Sequence, residues 1–382
     1  MVKPDRNSPL RCPSTQQRLS EMSISDAEAK VGGRLVPRHS APTTTGHTPS
    51  VLLRDDQNVA YPIFQGIPVL MTPEGLELHS PSHNMRDPRW EEAYEEMDHY
   101  NAMALSAADS AIGVNLIRTL TTMFDAGKTD SLNRETWVDM PYDAIAQFEA
   151  FQHLGPIEGK RIAQLGGSGQ QALKFLLAGA SEAWVITPMI GEALFASRLA
   201  TTLGIESRLR CVVAVGEQLP IADGYFDAIY SGGCLHHMVT DVASVQIHRV
   251  LSAGGRVGAV EPWGTPLHKI GTRLIGKREK NVHCRPLTSE RIRPIADIFD
   301  SVEVTHHGPL LRYVALGYQK VSGRGMSVKR GMQLTRLDDR LPIASRFGGS
   351  VAVLASKALG SQQVHATQVT VDNSTSGTLV RN

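Results

Sequence analysis

From Gly159 onward, short apolar runs alternate with stretches of helical period, and that rhythm excludes most folds a chain of this length could adopt. RIAQL ends in the turn GGSG; QQALKFLLAG then has helical spacing and a glycine stop at Gly179. AWVIT, the helix GEALFASRLATTLG, RCVVAV, FDAIYSGG, the helix DVASVQIHRVLSAGG with its double-glycine end, and RVGAVEPWG continue the pattern. Five strands alternating with helices predict an α/β domain built on a doubly wound, mostly parallel sheet. VEVTHH and GSVAVLAS, separated by a polar helical insertion, are the segments expected to close it.

The flanks read differently. Residues 1–78 are proline-punctuated and β-rich, with a loop of HSAPTTTGHTPS composition followed by VLLRDDQNVAYPIFQGIPVLMTPEG, the pattern of a small β-meander. Residues 79–140 read as a helical connector or lid, since Trp90, Tyr94 and Met97 recur at three- and four-residue spacing. The α/β domain is expected over 141–357, and 358–382 as a disordered tail, because only Asp372 and Arg381 carry charge there.

Composition removes several function classes. Lys and Arg total 39 against 38 Asp and Glu, so no global basic field points to nucleic acid. The 4 cysteines form no Cys-x-x-Cys pair, which argues against a disulfide scaffold or an intact zinc ribbon. The opening MVKPDRNSPL lacks an apolar core, and no long apolar run follows. A cytoplasmic protein is expected, with no transmembrane segment and with room for peripheral membrane contact.

In an open parallel sheet the ligand crevice lies beyond the carboxyl ends of the strands, where strand order reverses. Gly166, Gly167 and Gly169 allow a tight turn and close backbone approach there, and the following helix offers free N–H groups. Downstream, Leu219-Pro220, Phe226-Asp227, Leu235-His236-His237, Arg249-Val250-Leu251, Gly254-Gly255 and Glu261-Pro262 fall in an order that resembles the class I S-adenosylmethionine-dependent methyltransferases of the ubiquinone-methylase type. The resemblance covers roughly residues 140 to 265. It implies a Rossmann-like fold and S-adenosylmethionine as cofactor, with Gln164, Gly166, Gly167, Ser168, Gly169 and Thr187 holding it and Glu217 and Leu219 near the adenine. Three positions that the family commonly fills with carboxylates hold Gln164, Thr187 and Val215 instead; Glu192 and Glu217 are the nearest acids in sequence. At the N-terminus, Leu10-Arg11-Cys12-Pro13 with Tyr61-Pro62-Ile63 and Gly66-Ile67-Pro68-Val69-Leu70 resembles the small zinc-ribbon-like domain that activates methyltransferases, here without its cysteine pairs.

Methyl transfer from a sulfonium is an in-line displacement, so alignment and exclusion of water are the enzyme's main tasks. A general base helps when the acceptor carries a proton. By position the candidates are His236, His237 and Glu261; the plainer reading makes the histidines a helix-capping turn and Glu261 a structural carboxylate. The acceptor is expected to be a small molecule, and an anionic one if the seven Lys and Arg between Thr272 and Pro294 face it. That stretch equally suits an anionic membrane surface.

Three alternatives stay open at this stage. No metal is expected, yet Cys234, His236, His237, Glu261, His268, His283 and Cys284 are ligand types placed near the crevice, so a repurposed fold with metal-assisted chemistry is one. A catalytically silent binding module is another. The third is a hydrolase with Ser168 on a strand–turn–helix elbow and Asp227 and His283 as partners.

Overall fold

The computed structural model describes residues 8–37, 50–78, 116–120, 137–265, 285–341, 347–360, 369–371 and 379–381. Trp90, Tyr94 and Met97 of the expected connector lie outside them, as do His268, Lys277, Arg278, Lys280, His283 and Cys284.

The N-terminal module is a small antiparallel sheet. Strand β1 (Leu19–Ser23) leads into helix α1 (Ile24–Val31), which Ser23 caps by accepting from the Asp26 N–H and which ends at the left-handed Gly32. Strands β2 (Val36–Pro37), β3 (Ser50–Arg54), β4 (Ala60–Phe64), β5 (Ile67–Pro68) and β6 (Leu76–Glu77) complete it, in the order β1-β3-β4-β6-β2 with β5 on β4. Cys12 is buried, with Ser14 Oγ at 3.3 Å, Tyr61 Oη at 3.4 Å and an Arg54 guanidinium nitrogen at 3.8 Å. Burial alone would raise that thiol; hydrogen bonds from Ser14, Thr15 and Tyr61 hold it down at about 6.

The second unit is the α/β domain that the strand rhythm predicts. Helix α2 (Ala144–Leu154) precedes strand β7 (Arg161–Leu165), followed by helix α3 (Gln170–Leu177), strand β8 (Glu182–Thr187), helix α4 (Ile190–Leu203) and strand β9 (Leu209–Val213). Strand β10 (Phe226–Gly232), helix α5 (Thr240–Val250) and strand β11 (Leu251–Pro262) follow. Helix α6 (Ser289–Ile298), strand β12 (Ser301–His307), helices α7 (Leu311–Ser322) and α8 (Val328–Asp338), and strand β13 (Ser350–Ser356) close the domain. The sheet runs β12-β13-β11-β10-β7-β8-β9. Strands β7 to β11 pair in parallel, and β13 pairs antiparallel with both β11 and β12. Strand order reverses between β7 and β10, which places the crevice over the glycine turn. Phe151, Phe175 and Tyr230 pack together on one face of the sheet, while Trp184, Tyr225 and Phe226 form a cluster toward its other side.

One boundary departs from the sequence reading. The double glycine does not end a helix: α5 stops at Val250, and Gly254-Gly255 lie within the irregular start of β11. Leu251 already pairs with Phe226 before the register shifts, and the N–H groups of Gly254 and Lys357 bond across to Ala358 and Gly255. Tertiary pairing thus overrides a local helix-stop signal. Within the last 25 residues, read as irregular, strands β14 (Val369–Val371) and β15 (Leu379–Arg381) pair antiparallel.

The two units share an interface. Val69 bridges in parallel to Val213 on the β9 edge, Leu10 bridges to Ile221, and the Thr72 hydroxyl donates to Gln218 Oε1 at 2.8 Å. The module therefore covers the free edge of the sheet, the side from which uncontrolled strand pairing would otherwise start.

Candidate active site

β7 delivers the chain into the turn Gly166–Gly169. Gly166 has φ +68°, and a Cβ there would come within 2.0 Å of Cys234 Sγ; Gly169 has φ +79°, and its Cβ would meet Ala196 of α4 at 2.5 Å. Both positions therefore need glycine for conformation and for space. Gln164 explains itself in the same turn. Its amide nitrogen donates to Gly166 O at 2.8 Å while its oxygen accepts from the Ala172 N–H at 2.8 Å. A carboxylate could not make the first of these bonds, so the amide is used inside the turn. Ser168 Oγ accepts from the Gln170 side chain at 3.4 Å.

Thr187, at the tip of β8, is buried, and its hydroxyl donates to Glu192 Oε2 at 2.6 Å. Glu192 rides in the first turn of α4 and also accepts from the Gly167 N–H. Burial raises its carboxyl, with Thr187 and Gly167 opposing. A carboxyl group thus stands at the tip of the second parallel strand after all, supplied from five residues further on. Glu192 is the residue that the motif comparison left out of the binding set; its signal was an acid in the first turn of the helix following that strand.

At the tip of β9, Glu217 is buried and accepts from the Val239 N–H at 2.8 Å, and burial raises its carboxyl as well. Leu219 is fully buried, with its carbonyl accepting from Arg249 at 2.7 Å and Gln16 at 3.4 Å. Its side chain belongs to the core rather than to an open cleft.

Across the crevice, Glu261 at the end of β11 is buried and collects five donors. Ser231 Oγ lies at 3.3 Å, the N–H groups of Cys234, Leu235 and His236 at 3.0, 2.8 and 3.3 Å, and His236 Nδ1 at 2.8 Å. The carboxylate nucleates the Leu235–His237 turn. From the other side Arg291 of α6 donates to the carbonyls of Leu235, His236 and Met238 at 3.3, 3.1 and 2.7 Å. The His236 and His237 rings lie 3.9 Å apart, centroid to centroid.

The turn thus brings together His236, His237 and Glu261, close to Cys234 and the glycine turn. Burial, then Glu261 and Glu192, push the Cys234 thiol well above its ordinary range, which keeps it protonated and a poor metal ligand. Among the described residues no group of three or more His, Cys, Asp or Glu is disposed to hold a metal ion. The hydrolase alternative is overturned. Asp227 accepts from the Arg161 N–H at the amino end of β7, the opposite edge of the sheet from Ser168, so no triad can form. Of the basic stretch, Arg291 is spent on the turn carbonyls and Arg293 pairs with Asp297 at 3.8 Å.

Residues 166–258 match the family model described as a methyltransferase domain. That match lies over the glycine turn and the carboxyl groups at the tips of β8 and β9. The enzyme class is S-adenosylmethionine-dependent methyl transfer, and S-adenosylmethionine is the cofactor. The residues present fit it: the left-handed Gly166, Gly167 and Gly169 make a turn almost free of side chains, and Glu192 and Glu217 stand as carboxyl acceptors at the tips of β8 and β9.

Among solved structures the methyltransferase domain and its surroundings are similar to a geranyl diphosphate methyltransferase in complex with SAM, at 21% identity and TM-score 0.41, covering 56% of this chain and 85% of that one. A geranyl diphosphate C-methyltransferase from Streptomyces coelicolor A3(2) is similar at 18% identity and TM-score 0.41, covering 56% and 79%. The YcgJ protein of Bacillus subtilis is similar at 17% identity and TM-score 0.41, covering 56% and 98%. No curated protein matches the chain. No described helix is long and apolar enough to cross a membrane.

Proposed function

We propose that the protein methylates a small-molecule acceptor in the crevice between the glycine turn and the Leu235–His237 turn. The observation that carries this reading is the Thr187–Glu192–Gly167 constellation, because it restores a hydrogen-bonding carboxyl group where the motif lacks one. In this proposal the backbone of Gly166, Gly167, Ser168 and Gly169 receives the methionine portion, Gln164 holds the turn's shape, Thr187 and Glu192 meet the ribose, and Glu217 with the Leu219 backbone borders the adenine. The cofactor supplies an electrophilic methyl group on a sulfonium.

The remaining work falls to the chain's own residues. Glu261 orients the Leu235–His237 turn, and with it the His236 ring, through its short contact with Nδ1. A carboxylate only accepts, so Nδ1 carries a proton toward it and Nε2 is the nitrogen left to take a proton from the acceptor. His237, whose ring lies against that of His236 at a tilt of 42°, limits how that ring can turn. The buried Leu235 and the half-buried Cys234 limit the access of water to the transfer. In the same proposal the N-terminal module, which resembles a zinc-ribbon-like activator, acts without zinc as a brace on the β9 edge. The Arg54 guanidinium lies 3.8 Å from Cys12 Sγ, so a cation already stands beside that thiol.

Calorimetric titration with S-adenosylmethionine and S-adenosylhomocysteine, alongside metal analysis of the same sample, tests the assignment. Micromolar binding of both ligands, lost in Glu192→Ala, is the expected result. No binding by the wild type, with stoichiometric metal present, would overturn it in favour of a repurposed fold.

A further inference from the structure

The helices between β12 and β13 take no part in the chemistry above. α7 is 12 residues long, and none of its residues is buried. Val314, Tyr318 and Val321 are 61%, 60% and 90% exposed, and Leu310 at its N-cap is 46% exposed. Spacings of four and three residues keep Val314, Tyr318 and Val321 within about 60° of one another around the helix axis. Leu337 and Leu341, at the end of α8 and just beyond it, are exposed as well. A contiguous apolar stripe of this kind marks a contact surface.

Charge identifies the occupant. Residues 311–341 hold seven Lys or Arg and two Asp, in a chain whose formal net charge is +1. Both carboxylates turn inward. Asp338 accepts from the N–H groups of Leu310 and Leu311 at the start of α7, and Asp339 accepts from His307 and the Gly308 N–H. Arg312 is also drawn inward, onto Asp143. Arg324, between α7 and α8, and Lys329, Arg330 and Arg340, on α8 and just beyond it, are left exposed. An amphipathic helix with a large apolar face and flanking cations is suited to lie in a membrane interface, and anionic headgroups are its charge complement.

The placement fits the same occupant. β12 runs parallel to β11, since both pair antiparallel with β13, so α7 leaves the sheet at the edge that carries the crevice. The Tyr313 hydroxyl lies 3.5 Å from Thr265 Oγ1, just past β11.

We propose that α7 and α8 form a peripheral docking surface for an anionic lipid bilayer. Val314, Tyr318 and Val321 enter the boundary between headgroups and acyl chains, and Arg324, Lys329 and Arg330 meet the lipid phosphates. The crevice then opens beside the bilayer, so the acceptor class is a lipid-soluble one. The docking itself does not depend on the methyl-transfer reading.

Co-sedimentation of the full chain with phosphatidylcholine vesicles, with and without about 30 mol % phosphatidylglycerol, tests it. Binding should rise about fivefold or more with the anionic lipid and fall as salt is raised from about 0.1 to about 0.5 M. Two variants separate the contributions: Val314→Ser/Tyr318→Ser/Val321→Ser should lose most binding on both vesicles, and Arg324→Gln/Lys329→Gln/Arg330→Gln only the anionic increment. All six substituted positions are exposed, and unchanged melting and unchanged S-adenosylmethionine titration verify that both variants remain folded. Equal binding by wild type and triple-serine variant would overturn the proposal. So would a dimer in sedimentation velocity that the serine variant dissociates, which would assign the stripe to a second copy of the chain.

Discussion

Glu261 Oε2 lies 2.8 Å from His236 Nδ1, and the same carboxylate accepts the backbone N–H groups of Cys234, Leu235 and His236. One buried acid therefore shapes the turn and aims the imidazole on it. Replacing His236 by Gln should lower kcat by roughly 100-fold or more with little change in KM or cofactor affinity. Glu261→Ala leaves those donors unsatisfied at about 1–3 kcal/mol each, so its first effect should be a fall of several degrees in Tm. Stopped-flow transfer assays and calorimetric scans on both variants measure the split.

Glu192 should show opposite effects on affinity and stability. Burial raises its carboxyl, which means that ionising it costs the native state free energy as pH rises above the ordinary carboxylate range. Glu192→Gln relieves that cost, so the unliganded variant should melt no lower than wild type near neutral pH. Losing the charged acceptor should weaken S-adenosylmethionine by about 1.5–3 kcal/mol, or roughly tenfold to 100-fold in Kd. Tight binding by the variant would remove Glu192 from the ribose site.

Arg291 ties α6 to the carbonyls of Leu235, His236 and Met238. Arg291→Ala should lower kcat about tenfold through a loosened turn while leaving cofactor Kd within about twofold. Arg291→Lys should recover little, because a single ammonium cannot span three carbonyls as the planar guanidinium does. A uniform rise in KM with intact kcat would instead mark Arg291 as a substrate contact.

His307 predicts an alkaline loss of stability. Burial alone would lower the imidazole, but hydrogen bonds to Asp339 at 2.6 Å and Glu149 at 2.9 Å raise it to about 9. A raised imidazole contributes stability that is fully present below its unfolded value near 6.5 and lost as pH rises through about 9. The loss should be at most about 3 kcal/mol and absent from His307→Gln. Denaturant titrations of both proteins between about pH 6 and about pH 10 give the difference curve.

Much of the architecture was legible because local pattern and tertiary role coincide. The runs RIAQL, AWVIT, RCVVAV and FDAIYSGG are strands in register, since a parallel strand covered on both faces must be almost wholly apolar. The LSAGG segment reads as a helix end because its glycines carry a helix-stop signature, whereas Leu251 and Gly255 are claimed by strand partners distant in sequence. At the site, motif spacing located the glycine turn and the His236–Glu261 corner, yet could not say that Glu192 reaches back to Thr187. Arg291 stood among seven cations that sequence alone treats alike.

A parallel α/β domain with a glycine turn at its switch point is readable from the chain directly, because apolar periodicity and glycine placement are local properties. How the polar groups are used follows from contacts made in the folded chain. Gln164 is absorbed into the turn, Glu192 takes the acceptor position beside Thr187, and Glu261 serves the Leu235–His237 turn. The physical reason is that a polar side chain's role depends on which donors reach it once water is gone, and those donors come from segments far apart in the chain.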